Sequence, residues 1–262
     1  MAETRAPEQR TIRSEVEAIK AEEEPKEKLR SFLLECEKPW VYLMLIAAAG
    51  WFGAYTFVLR GGVFCNAQTA NVVIFAVSLG TGDWMKALYL LLPISAYFLG
   101  ALVSELLGRA VKRFHFLRWE TVLVGFEIMA VLLIGFLPKE APDQITQVIF
   151  NFICSMQFNT FRQVEGTSAA TTFVTNHIRE LGYNTARVIR HHEASYRKKI
   201  WLHGRLLLCF ILGAVVSAIA CRFFGLYSIW GSAVILLVIF IRLCIADRSY
   251  EKDELARVPK GH

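Results

Sequence analysis

The stretch Gly61-Gly62-Val63-Phe64-Cys65-Asn66-Ala67-Gln68-Thr69-Ala70-Asn71 decides how the chain folds. It lies between two apolar runs, yet it opens on two glycines and carries Asn66, Gln68, Thr69 and Asn71. With the apolar run that follows, it reaches from Val63 to Leu79, at the lower limit of what crosses a bilayer as a helix. A second glycine-led polar stretch follows about a hundred residues later, Gly166-Thr167-Ser168-Ala169-Ala170-Thr171-Thr172-Phe173-Val174-Thr175-Asn176-His177. The pair reads as two interrupted segments inside a membrane domain.

Composition agrees with that setting. Of 262 residues, 55% are hydrophobic, and long apolar runs alternate with short polar loops, the pattern of a multi-span membrane protein. The formal charge is +6, but the basic residues cluster in loops beside apolar runs. That pattern marks cytoplasmic loops of an inner-membrane protein rather than a nucleic-acid surface. The six cysteines form no CxxC pair and most lie in apolar runs, as small buried hydrophobes do. No cofactor and no metal site is expected.

Residues 1–38 form a charged N-terminal segment, read as cytoplasmic; 8–37 fit either a polar, salt-bridged helix or an unstructured tail. Pro39, Trp40 and Tyr42 mark the membrane surface. Apolar spans are predicted at Trp40–Leu59, Ala87–Gly108, Trp119–Leu137, Ile145–Phe161, Trp201–Phe223 and Leu226–Ile245, with a charged tail over 247–262. Ala96, Gly100, Ser104 and Gly108 form a small-residue stripe that suits close packing within the chain or in a homodimer.

The transmembrane domain, 39–246, divides into halves 39–138 and 144–246. Leu99-Gly100-Ala101-Leu102-Val103-Ser104 matches Leu212-Gly213-Ala214-Val215-Val216-Ser217, and each follows a glycine-led stretch. Duplication is the better reading of this shared order. If both polar segments dip in and return, six crossings put the basic loops 109–118 and 183–200, and both termini, on the cytoplasmic side of the plasma membrane. The expected fold is therefore an all-α integral membrane protein, six spans plus two re-entrant segments in an inverted repeat, a transporter arrangement.

Half-helix N-termini at Gln68, Thr69 and Asn71, and at Thr172, Thr175 and Asn176, would face protein or water. They are the candidate substrate-binding residues for a small polar or anionic solute. The alternative is that they only cap the broken helices. Glu127, near the centre of a span, is either a coupling or proton-carrying group or a carboxylic acid bonded between helices. Glu105 is expected to pair with Arg109 four residues on. Arg162 and Glu165, flanking the second stretch, read as a gate or an interfacial ion pair.

The glycine, Phe, small-residue and Thr-x-Asn pattern, followed by Leu-Gly-Ala, resembles the YoaK-type membrane proteins, the family of the domain of unknown function 1275. Its members read Thr-Gly-Asn at both repeats, where this chain has Thr69-Ala70-Asn71 and Thr175-Asn176-His177. The resemblance covers roughly residues 40–246 and implies a multi-span inner-membrane protein without an assigned activity.

No nucleophile elbow, Walker loop or His-Glu-x-x-His is present, so catalysis is not expected. The leading expectation is a secondary transporter or facilitator. The second is a non-transporting sensor, scaffold or assembly factor, for which the long charged N-terminal segment speaks.

Overall fold

The computed structural model describes residues 33–111 and 116–255 together with Arg257 and Pro259. Residues from Glu35 onward form one unit, and the other, Met1–Leu34, lies almost wholly outside the described residues. The helix-or-tail expectation for 8–37 and much of the basic loop 109–118 also lie outside them.

The chain is all-α apart from one tiny hairpin. The helices are α1 (Pro39–Leu59), α2 (Gln68–Gly80), α3 (Trp84–Val111), α4 (Trp119–Gly135), α5 (Asp143–Thr160), α6 (Thr175–His191), α7 (Ala194–Phe224) and α8 (Trp230–Arg248). Strands β1 (Gln163–Val164) and β2 (Thr167–Ser168) pair antiparallel between α5 and α6. Local chemistry sets the boundaries. Pro39 opens α1, where its missing N–H matters least. Asp83 accepts the Lys86 amide at 3.1 Å and starts α3. Left-handed Gly82 and Gly225 turn the chain after α2 and α7.

Among the described residues three helical stretches are long and apolar enough to cross a membrane: Pro39–Leu59, Trp84–Gly108 and Ala194–Arg248. α4, with 17 residues, is shorter. α5 is long enough, but Gln147, Asn151 and Gln157 lower its apolarity, and all three are buried against protein. Large apolar side chains are exposed along α2, α3, α7 and α8, among them Val73, Phe98, Val215 and Val234. Exposed apolar surface on this scale belongs to a membrane protein.

α1 packs most extensively on α7, and α3 on α5; α2 lies on α3, α6 on α7, and α4 on α8. Glycines set the two main contacts. A Cβ on Gly213 would stand 2.0 Å from the Ala47 carbonyl oxygen of α1, and one on Gly100 2.3 Å from the Phe152 oxygen of α5. One turn on, Ser217 donates to the Trp51 oxygen at 2.9 Å and Ser104 to the Met156 oxygen at 3.5 Å. The Leu-Gly-Ala-x-Val-Ser motif thus makes the same helix contact twice. The small-residue stripe is occupied inside one chain: Gly108 lies over the Trp119 ring, and Ala96 and Ser104 are buried.

Three expectations change. Tyr42 is not a surface anchor; it is buried and donates to the Gln163 carbonyl at 2.6 Å. Glu35–Glu37 is a buried 3-10 turn rather than part of a solvated helix or tail. The charged C-terminal segment is tied down where it begins. Arg118 pairs with Asp247 at 3.4 Å and Glu251 at 3.3 Å and donates to the Arg257 carbonyl at 2.9 Å. Asp247 also accepts from Thr121, and Tyr250 donates to Glu35. Burial pushes the Glu251 carboxyl up against the pull of the Glu35 amide and Arg118. At Glu35 burial also raises, but hydrogen bonds from Lys38 and Tyr250 prevail and hold the carboxyl below its ordinary value.

Gly100→Val and Gly213→Val should each lower stability by about 1–3 kcal/mol or more, because the atom met is backbone and cannot swing aside. Gly182→Ala, in open space on α6, should stabilise by about 0.5–1 kcal/mol. Thermal unfolding in detergent checks all three; equal effects would remove the case for tight crossings.

Candidate functional site

The site is built where helices stop. Gly61 and Gly62 both adopt left-handed backbone, φ +75 and +69, and turn the chain at the end of α1 back into the protein. The turn is fixed by Arg60, whose side chain is 1% exposed. Its guanidinium donates to the Leu137 carbonyl at 3.2 Å and lies 3.8 Å from Asp143. Gln147 of α5 donates to the Arg60 carbonyl at 2.8 Å.

From there the loop runs to the middle of the helix layer. Asn66 donates to the Ala49 carbonyl at 3.2 Å, at the centre of α1. Cys65 meets Cys154. Gln68, the first residue of α2, donates to Asn151, at the centre of α5. α2 then leads away for 13 residues, about 20 Å, too short to span a bilayer core alone.

The second interruption is the hairpin after α5, turned by Glu165 and Gly166, both left-handed. Its return strand leads to Ala169–Thr172, all buried. The Thr171 carbonyl accepts from Gln157 at 3.1 Å, and Thr172 faces Tyr97 of α3. α6 then starts at Thr175 and runs back along α7.

The two interruptions close with the same bond. Asn71 donates to the carbonyl seven residues back, Phe64, at 2.9 Å; His177 Nε2 does so to Ala170 at 2.8 Å. Histidine in place of asparagine keeps the tie and adds a contact. His177 Nδ1 lies 2.9 Å from Nδ1 of His203 on α7, and both rings are buried. Because Nε2 of His177 faces a carbonyl it carries a proton. With both rings neutral, His203 donates between them, and its Nε2 is left a buried acceptor without a partner among the described residues.

The sequence-predicted residues divide. Gln68 meets Asn151, and Asn71, one helical turn on, lies 3.4 Å from Gln68. Thr172 is buried beside Tyr97. Thr69 and Thr175 are exposed, and Asn176 is half-buried and accepts from exposed Arg179 at 3.0 Å. Glu127 is 0% exposed, close to Cys154, with neither oxygen bonded among the described residues. Glu105 pairs with Arg162 at 3.4 Å; the Arg109 side chain lies outside the described residues. Among the described residues no three His, Cys, Asp or Glu side chains converge as metal ligands would. The expectations passed over Asn66, Asn151, Gln157, Tyr97 and the histidine pair. The polar residues of α5 were the available signal, since they recur on one face of an otherwise apolar helix.

Long apolar helices, with amides buried where the chain breaks between them, mark a membrane protein. The chain belongs to the family described as protein of unknown function (DUF1275), whose model matches residues 41–242. No curated protein and no solved structure matches it.

His177→Asn should keep the carbonyl tie and change stability by less than about 1 kcal/mol. His177→Leu leaves the Ala170 carbonyl unpaired and should cost about 1–3 kcal/mol. Unfolding in detergent separates the two; equal losses would mean that the tie is not what the ring provides.

Proposed function

We propose that the chain is a secondary transporter or facilitator that moves a small polar solute past the two interruptions. The observation that carries this reading is the seat of Gln68 against Asn151. A glycine-led loop reaches the middle of α1 and α5 and a half-helix leads away again. Irregular backbone at that level is tolerated in a membrane only beside protein or water, and in transporters such breaks form the solute site.

The helix pairing supports a repeat. Exchanging α1–α4 for α5–α8 turns the α1–α7 contact into α5–α3 and the α2–α3 contact into α6–α7, and it leaves α4–α8 unchanged. Each third helix packs its Leu-Gly-Ala glycine on the first helix of the other half. The basic stretch 183–200 is not a loop but the end of α6 and the start of α7. With α2 and α6 as the returning segments, six crossings put it, the basic stretch 109–118 and both termini on the cytoplasmic face of the plasma membrane. The halves are then inverted. On this reading the protein acts as a conduit rather than an enzyme.

Two measurements test this. With the native cysteines replaced, Asp83→Cys and Lys139→Cys should react with an impermeant maleimide from the outside of intact cells, and His192→Cys only after permeabilisation. Reaction of the thiols introduced at Asp83 and Lys139 from opposite sides would overturn the six-crossing arrangement. In proteoliposomes, Gln68→Ala and Asn151→Ala should lower solute flux at least ~10-fold, the effect of losing about 1.4 kcal/mol; unchanged flux would remove these residues from the path.

A further inference from the structure

Four of the buried amides leave the same kind of atom unpaired. In Asn71, Gln147, Gln157 and Asn184 the nitrogen donates to a main-chain carbonyl: Phe64, Arg60, Thr171 and Glu180 respectively. In each the side-chain oxygen is buried without a hydrogen-bond partner among the described residues. The orientation of these amides is dictated by their partners, since a carbonyl can only accept. Glu127 adds two more buried oxygens in the same condition. The Nε atoms of Arg60 and Arg118 are also unpaired, but both guanidiniums already face carboxylates. The hydroxyls of Thr146, Ser155, Thr171 and Thr172, unpaired among the described residues, can donate or accept.

Gln147, Asn151, Cys154 and Gln157 recur on α5 at intervals of four, three and three, one face of a helix over about 15 Å. Facing that stripe are Gln68 and Asn71 from α2, Tyr97 from α3 and Glu127 from α4, the last two beside Cys154. Tyr89 leans toward Gln147 at one end. There a partly open cavity of about 570 Å³ is lined by Gly61, Gly62, Val63, Tyr89 and Leu90. Lys86 at its rim is exposed, free to hold its charge in water.

We infer that the solute is a small organic cation bearing N–H donors, of the guanidinium or primary ammonium class, with Glu127 as its counter-charge. This rests on the transport reading and narrows it, and it sets aside the anionic solute. An anion could be served by the hydroxyls, but it would leave the amide oxygens unpaired and would be repelled by a Glu127 carboxylate. A donor-bearing cation can be served by amide oxygens along the α5 stripe and pairs the Glu127 carboxylate, which has no bonded cation among the described residues. The half-helix that might favour an anion offers little, because the Ala70 and Asn71 amides already turn back onto the Ala67 carbonyl, at 3.1 and 3.4 Å.

The test uses the full chain in proteoliposomes with four labelled probes: guanidinium, tetramethylammonium, acetate and sulfate. Guanidinium uptake should exceed acetate and sulfate uptake at least ~10-fold and should exceed that of tetramethylammonium, which has charge without donors. Glu127→Gln, shown to elute and melt as the parent does, should lower guanidinium uptake at least ~10-fold. Faster uptake of acetate or sulfate would overturn the cation assignment and leave transport standing. Equal uptake of the two cations would overturn the role of the donors, and an unaffected Glu127→Gln variant that of the carboxylate. Uptake of no probe or other solute would overturn transport itself and this inference with it.

Discussion

Backbone amides and carbonyls surrounded by apolar side chains must find partners within the chain, and everything unusual in this protein follows from how that requirement is met where helices break. Inside a helix the main chain satisfies itself. At residues 60–67 and 161–174 it does not, and side chains take over: Asn71 serves Phe64, Gln147 serves Arg60, Gln157 serves Thr171 and His177 serves Ala170. A carbonyl left unpaired in such surroundings would cost on the order of 1–3 kcal/mol. These polar residues therefore have a structural duty. Because an amide has two ends and the duty uses only the nitrogen, the oxygens remain available for something else.

The two breaks solve the same problem with different chemistry. The first uses asparagine at the return of the half-helix, and the second uses histidine. The longer ring reaches the same relative carbonyl and still has a nitrogen that accepts from His203 of α7. One break is thus tied to its own loop and to α5 through Gln68, and the other to its own loop and to α7 through His203. The two have a common plan and separate anchors.

Much of this could be read in the chain itself. Paired glycines after an apolar run and a repeated Leu-Gly-Ala-x-Val-Ser motif are local signals, and both fall where the chain breaks or crosses closely. Which residues of each polar stretch face inward was harder to see. Gln68 and Asn71 share a face while Thr69 is turned away by one helical step, and Thr175 is likewise exposed; residue type alone did not separate them. Contacts between distant parts of one sequence leave no local trace. The pairing of Arg118 with Asp247 and Glu251, and of Tyr42 with the Gln163 carbonyl, joins segments that share no periodicity. Charges at 35–37 and 247–251 looked solvated because their partners were remote.

The glycine contact between α1 and α7 also bears on how the protein is made. α1 ends at Leu59, and its main partner begins at Ala194. When α1 leaves the ribosome, the groove that Gly213 will fill is open, and it stays so until most of the chain has been synthesised. α1 is thus made well before its main partner and packed late. During that interval its small, glycine-containing face is without the helix that covers it in the finished fold.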